Sequence, residues 1–341
     1  MRDLSIVTVC MNRREHLLAT APRVAAWPHH REHLIVDWSS TEPLRREELP
    51  ADSRIRLLRV EGEPRWNLCR AYNFGVARCA GEWVLKLDAD AWPTQAFDPF
   101  LPALRLSGEG GREETGAVCA FGSGPEGRKG QFLMERELFE AVGGFHELLV
   151  GYGFDDKDLL ARLLQRTGEP AAALPQEWIG VIPHSDGERA EQGVMRGAMA
   201  ASQGLAAMRA TRLANRLLAA HHPWGPLRPH SFYEQRSPGH WLVIPDSLPE
   251  PTAEVADEIE HARRLEFWSC FLAIPDIFLA ELPIKLVPYP RRGVWPVRWW
   301  HRIWWQTGRR LLHLPSLVLS WTRGSLGRPE GHPSQGRLVD R

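Results

Sequence analysis

Four carboxylates and one imidazole are spaced to do chemistry in this 341-residue chain. Asp88 and Asp90 end the apolar run Trp83-Val-Leu-Lys-Leu. Asp155 and Asp156 are adjacent after Gly151-Tyr-Gly-Phe. His184 follows Trp178-Ile-Gly-Val-Ile-Pro. Residues i and i+2 of a strand point to one side, so Asp88 and Asp90 repel unless a cation sits between them. An oxygen-only pair with room for water suits Mg²⁺ or Mn²⁺, hard ions that also bridge diphosphates. The competing reading makes both aspartates turn and cap residues before Ala91-Trp-Pro. The spacing alone does not separate the two, because Asp-x-Asp is short and recurs by chance.

Asp155 and Asp156 stand at the start of a helix in which Leu159, Leu160, Leu163 and Leu164 recur at helical spacing. The helix dipole favours carboxylates there, and one of the two is expected to be the N-cap. The other lies beside glycines that leave room for a ligand. It is expected to stay ionised and to act as a general base, taking the proton of an attacking hydroxyl. His184 would complete a metal site with Asp90, imidazole being better tolerated by Mn²⁺ than by Mg²⁺. A lone histidine is more often a surface or core residue than a ligand.

The elements that position these residues alternate. Residues 4–10, 33–37, 55–60 and 83–87 read as strands, and 14–26 and 66–79 as helices. This predicts βαβ units, a largely parallel sheet with helices on both faces and a nucleotide-binding α/β domain. Apolar runs such as Ile6-Val-Thr-Val and Leu34-Ile-Val fit a sheet covered on both sides. The strand ends then converge on one rim: Thr8 with Asn12-Arg13-Arg14, Asp37-Trp-Ser-Ser, and the Asp88/Asp90 pair. Arginines there could meet phosphate and Asp37 a base or ribose. Asn12 as a helix cap and Asp37 as an Asx turn are equally good readings. Further on, 108–114 and 122–130 read as loops, 131–134 as a strand, and 136–142 as a helix stopped by Gly143-Gly144.

Composition narrows the class. Lys plus Arg equals Asp plus Glu at 42 each, so no global field favours nucleic acid. Five scattered cysteines without C-x-x-C spacing argue against a disulfide framework or zinc site and for a reducing, cytosolic setting. No export signal and no apolar run of the ~20 residues that span a bilayer is visible.

With these residues in place, the chain over roughly 3–190 resembles GT-A glycosyltransferases of family 2, with a second half-site like the carboxyl-terminal motif of β1,4-galactosyltransferases. The likeness rests on Ser5-Ile-Val-Thr-Val-Cys-Met-Asn-Arg13, Ile35-Val-Asp-Trp-Ser-Ser40, Arg70-Ala-Tyr-Asn-Phe-Gly75, Leu87-Asp-Ala-Asp90 and Gly130 through Asp158, in that order. It implies a UDP-sugar donor, with the uridine near Thr8, Asp37 and Trp66, and with Arg13, Arg70, Asn73 and Gly130 also on the donor side. Asp88 would lie near ribose and metal, Asp90 and His184 would coordinate Mn²⁺ or Mg²⁺, Asp155 and Tyr152 would touch the acceptor, and Asp156 would be the base. Direct displacement would invert the anomeric configuration. Lys157, Ile182 and Phe154 depart from the pattern, which leaves acceptor identity open. A retaining transferase on the same fold, and a catalytically silent sugar-nucleotide- or glycan-binding subunit at a membrane, are the alternatives.

These readings divide the chain into a catalytic domain at 1–205, an accessory region at 206–322 and a Gly/Pro/Arg-rich tail at 323–341 expected to be disordered. The accessory region is expected to be a helical, Trp/Arg-rich extension. Its segment 289–312 interleaves arginine with tryptophan, a mixture that suits the headgroup region of a membrane and the handling of a lipid-linked glycan. Packing of the same residues onto the catalytic domain is the equal alternative.

Overall fold

The computed structural model describes residues 3–99, 119–124, 127–183, 201–260 and 263. His184, the loop at 108–114, the segment 289–312 and the tail at 323–341 lie outside them. The chain forms two units: Met1–His184 with Ala219–Pro251, and Ser185–Leu218 with Thr252–Arg341.

The first unit opens with β1 (Leu4–Cys10), α1 (Arg14–Ala26), β2 (Glu32–Trp38), β3 (Ile55–Glu61), α2 (Leu68–Val76) and β4 (Trp83–Asp88). It continues with β5 (Ala91–Pro93), β6 (Cys119–Gly122), β7 (Phe132–Glu135), α3 (Arg136–Ala141), α4 (Asp155–Thr167), β8 (Ala172–Leu174) and β9 (Ile179–Val181). After α5 (Ala201–His221), which starts in the second unit, a hairpin of β10 (Tyr233–Ser237) and β11 (His240–Val243) completes it. The main sheet has the order β10-β11-β3-β2-β1-β4-β7-β6-β8, and β5 pairs with β9 separately.

Strands β11, β3, β2, β1 and β4 run parallel, whereas β7 is antiparallel to β4 and β6. This is the mostly parallel sheet that the alternation predicted. β1 and β2 are buried along their whole length, as strands covered on both faces must be. α1 buries Leu17, Thr20, Ala21 and Val24, while α2 lies over Val7 and Val36, against which its Gly75 rests. α2 begins at Leu68 rather than 66 because the Asn67 side chain accepts the Arg70 N–H and caps it.

Ala219–Pro251, within the stretch expected to be the accessory region, is grouped with the first unit. Three anchors hold the returning segment. β11 extends the sheet beside β3, the Trp224 indole donates to the Gly143 carbonyl at 2.7 Å, and the Tyr233 hydroxyl donates to Glu63 at 2.8 Å. Tyr233-Glu-Gln-Arg-Ser is a polar, exposed edge strand, so it lacks the apolar alternation by which strands are read. In the second unit residues 253–260 are helical, and Arg263 pairs with Glu260 at 2.6 Å. No helix among the described residues is long and apolar enough to cross a membrane. Cys10, Cys69, Cys79 and Cys119 are free and buried.

Candidate active site

The carboxyl end of β4 forms one wall of the site. Lys86 and Asp88 lie two residues apart and so project to the same face, the one covered by α2. The Lys86 side chain is 1 % exposed. Its ammonium donates to Asp88 Oδ1 at 2.8 Å and to the Gly130 carbonyl at 2.7 Å, and it lies 4.5 Å from the centre of the Tyr72 ring. The Tyr72 hydroxyl stands 2.9 Å from the Leu87 carbonyl and 3.1 Å from Asp88 Oδ1. Gln131 takes the other side of Asp88. Its Nε2 donates to Oδ2 at 2.6 Å, and its Oε1 accepts the Asp88 N–H at 2.7 Å. Burial alone would push the Asp88 carboxyl up, but the Lys86 charge and these hydrogen bonds hold it below the usual range.

The facing wall is the start of α4. Gly151, Gly153 and Phe154 all have positive φ, at 75°, 84° and 80°. This winding brings the chain into α4 with Phe154 as the N-cap residue. For a phenylalanine such a conformation costs on the order of 1 kcal/mol or more. The expectation that Asp155 or Asp156 is the cap is therefore corrected: both lie inside the first turn. The third acid of that turn, Asp158, is taken up by Arg162 at 2.7 Å, and Arg162 also donates to the Val142 and Gly144 carbonyls.

Gly130 separates the two walls. A Cβ built on it would stand 3.6 Å from Asp88 Oδ2, 3.6 Å from Asp156 Oδ2 and 3.7 Å from Lys86 Nζ. Both carboxylates and the ammonium thus border one small space. Asp156 Oδ1 is buried and has no hydrogen-bond partner. Burial first, and the Asp155 charge second, push the Asp156 carboxyl well above the usual range. Asp155 is itself raised by burial. Desolvation and a like charge thus act against the ionised form that the helix dipole favours. Only the nearby Lys86 charge acts strongly in the opposite direction.

Two family models match the chain: glycosyl transferase family 2 over residues 5–104, and the N-terminal domain of galactosyltransferase over residues 124–178. This is a GT-A glycosyltransferase domain. The first match contains β1 to β5 with Asp88 and Asp90, and the second contains Gly130 and the start of α4, so each supplies one wall. Similar solved structures include the catalytic domain of Drosophila β1,4-galactosyltransferase 7 with xylobiose, at 14% identity, 71% coverage of this chain and 93% of that one, and a TM-score of 0.41. Another is the Pyrobaculum calidifontis mannosyltransferase PcManGT with GDP-Man and Mn²⁺, at 16% identity, 96% and 85% coverage, and TM-score 0.43. A third is the Mycobacterium tuberculosis glucosyl-3-phosphoglycerate synthase with Mn²⁺, UDP and glucosyl-3-phosphoglycerate, at 16%, 68% and 85%, and TM-score 0.44. Likenesses with TM-scores this low carry no argument of their own. No curated protein matches the chain.

Beyond the two walls, the glycosyltransferase keeps Asp90 partly exposed just after β4. The Asp90 carbonyl accepts the Ile182 N–H at 2.8 Å, so the chain leading towards His184 runs alongside it. Among the described residues no three His, Cys, Asp or Glu side chains converge as a metal cage. Asp90 and the neighbouring Asp88 are an oxygen-only pair. It fits Mg²⁺ or Mn²⁺, ions that keep part of their coordination for water and phosphate oxygens. Tyr152 is 39% exposed, and Arg13 and Trp66 are half-buried.

Four residues expected at the donor have their polar groups engaged inside the fold. Thr8 Oγ1 lies 3.0 Å from His33 Nε2. Asp37, fully buried, accepts from the Ser40 and Leu44 N–H groups and from Arg59. Arg70 forks onto Glu63 at 3.1 and 2.6 Å. Asn73 exchanges hydrogen bonds with the Phe145 backbone and donates to Glu147. Thr8 and Asp37 lie on strands and Arg70 and Asn73 on α2, and each has found a partner inside the fold, as buried polar groups do. Sequence reasoning passed over Lys86, Gln131, Tyr72 and Glu147. Lys86 did leave a signal, a lysine in the middle of an otherwise apolar strand. Glu147 shows none, yet its buried carboxylate gathers Asn73, His230, and both the N–H and hydroxyl of Ser231.

Proposed function

We infer that the glycosyltransferase is metal-dependent and inverting, and that it moves a hexose or N-acetylhexosamine, with galactose favoured, from a UDP-sugar to a hydroxyl of a glycan or glycolipid. The observation that carries this reading is the pair Asp88 and Asp156 across Gly130, one carboxylate fully bonded and the other with a free oxygen. Asp156 receives the acceptor proton as the acceptor oxygen forms its bond to the anomeric carbon. The bond from that carbon to the diphosphate breaks on the opposite face, and UDP leaves with the electron pair. A carboxylate pushed up by its surroundings is the stronger base once ionised. Tyr152 and Asp155 face the acceptor, Asp88 holds the ribose side of the donor, and Trp66 and Arg13 border it. Asp90 and His184 would hold Mn²⁺ or Mg²⁺, which would supply the positive charge that a departing diphosphate needs.

The test is UDP release from a panel of UDP-sugars with Mn²⁺ and with chelator, for the wild type and Asp156→Asn. Metal-dependent turnover of one sugar is expected. Asp156→Asn should bind UDP as the wild type does and lose transfer by about 10²-fold or more. Loss of UDP binding in that variant would remove Asp156 from the role of base. Membrane contact through 289–312 is part of the same reading and is supported by composition alone. Deleting 289–341 should abolish sedimentation with anionic vesicles, and unchanged sedimentation would sink that part.

A further inference from the structure

Lys86 is a buried ammonium that the transfer step does not use. It has three donors. Two are committed, to Asp88 and to the Gly130 carbonyl, and they tie the end of β4 to the turn that separates Asp88 from Asp156. The third has no hydrogen-bond partner among the described residues, and the ammonium borders the same small space as Asp88 Oδ2 and Asp156 Oδ2. A lysine with 1 % of its side chain exposed is costly to desolvate. An uncharged residue of similar length, such as methionine, would fill the space without that cost, so packing does not account for it.

We propose that Lys86 is a positioning residue for this reaction: it withdraws Asp88 from the metal and supplies a standing positive charge beside Asp88 and Asp156. The inference rests on the sugar-transfer reading above. Its logic is geometric. Asp88 Oδ1 is taken by Lys86 and Tyr72, and Oδ2 is held by Gln131. Asp88 is thereby fixed for the donor, and contact with the divalent cation falls to Asp90, as in the sugar-transfer reading. The ammonium also repels that cation, which keeps it near Asp90 and the diphosphate.

The sign of this effect sets Lys86 apart from a core residue. Replacing Lys86 by methionine frees a carboxylate and removes a repelling charge, so Mn²⁺ should bind more tightly although the enzyme becomes slower. The experiment is Mn²⁺ binding in the presence of UDP, followed by loss of the free-ion paramagnetic resonance signal, with transfer rates measured alongside. For Lys86→Met we expect Mn²⁺ to bind about tenfold more tightly while kcat falls about 10²-fold. The double variant Lys86→Met with Asp88→Asn restores the local charge balance, so its Mn²⁺ affinity should return to that of the wild type while kcat stays low. If Lys86→Met does not fold, Lys86→Gln tests the same point, since it can donate to Asp88 without the charge. Unchanged or weaker Mn²⁺ binding in the folded single variant overturns the proposal, as does a kcat within about twofold of wild type. Failure of the wild-type protein to bind Mn²⁺ with UDP is a different result. It overturns the sugar-transfer reading, and this inference falls with it.

Discussion

Replacing Gly130 by alanine separates a structural from a chemical use of the space between the two walls. The backbone at Gly130 is not left-handed, unlike that at Gly127, so alanine meets no conformational penalty there. The added methyl would touch Asp88 Oδ2 and Asp156 Oδ2 at 3.6 Å and Lys86 Nζ at 3.7 Å, ordinary contact distances. A glycine-to-alanine change at a permissive site stabilises by about 0.4–1 kcal/mol through the unfolded chain. For a domain of this size that is a rise in melting temperature of about 1–4 °C. The same methyl occupies the gap where donor and acceptor must approach the carboxylates. A displacement of about 1 Å in such a site costs about 10²-fold in kcat/KM, or about 2.7 kcal/mol of transition-state stabilisation. Gly130→Ala should therefore melt at or above the wild-type temperature and transfer sugar about a hundredfold more slowly. Thermal unfolding by circular dichroism and a coupled UDP-release assay measure the two quantities on one preparation. Activity within about threefold of wild type would refute the use of this space, and a melting temperature several degrees lower would show that the glycine serves the backbone.

The remaining predictions concern stability. Glu147→Ala strips the acceptor from His230, from both donors of Ser231 and from one hydrogen of Asn73. It should cost about 3 kcal/mol or more and expose 219–251 to protease; a loss under about 1 kcal/mol would show that the clasp is dispensable. Burial pushes His33 down to about 3 and His30 and His146 down to about 4, so below pH 6.5 the unfolded chain takes up protons that the folded chain refuses. Their contribution is fully present above about pH 6.5 and is lost as pH falls towards the folded values. His33 alone should remove about 2 kcal/mol by pH 5. A melting temperature that is flat between pH 7 and pH 5 would contradict the burial of these rings as neutral species.

The fold was legible because its signals are local. β1 and β2 carry the apolar runs Ile6-Val-Thr-Val and Leu34-Ile-Val, α4 carries its leucines at helical spacing, and Gly143 and Gly168 follow the ends of α3 and α4. Asp88 could be placed at the rim because it ends the apolar strand β4, and Asp90 follows in the turn after it. The hairpin β10–β11 was not legible: β10 is polar and exposed, β11 is only four residues long, and it is pairing with β3 that extends the sheet through them. Nor was the cap of α4, since a phenylalanine in left-handed conformation violates the preference by which caps are recognised.

By itself the sequence determined which carboxylates reach the rim of the sheet and which helix begins with acids, since periodicity and chain direction settle both. Tertiary structure decided which polar groups are free. Thr8, Asp37, Arg70 and Asn73 have rim-type sequence contexts, yet each meets a partner brought from 7 to 74 residues away. It also set the surroundings that act on the Asp156 carboxyl. Burial, a neighbouring acid and an ammonium from another element act there within a few ångströms of one another, and no spacing along the chain records that distance.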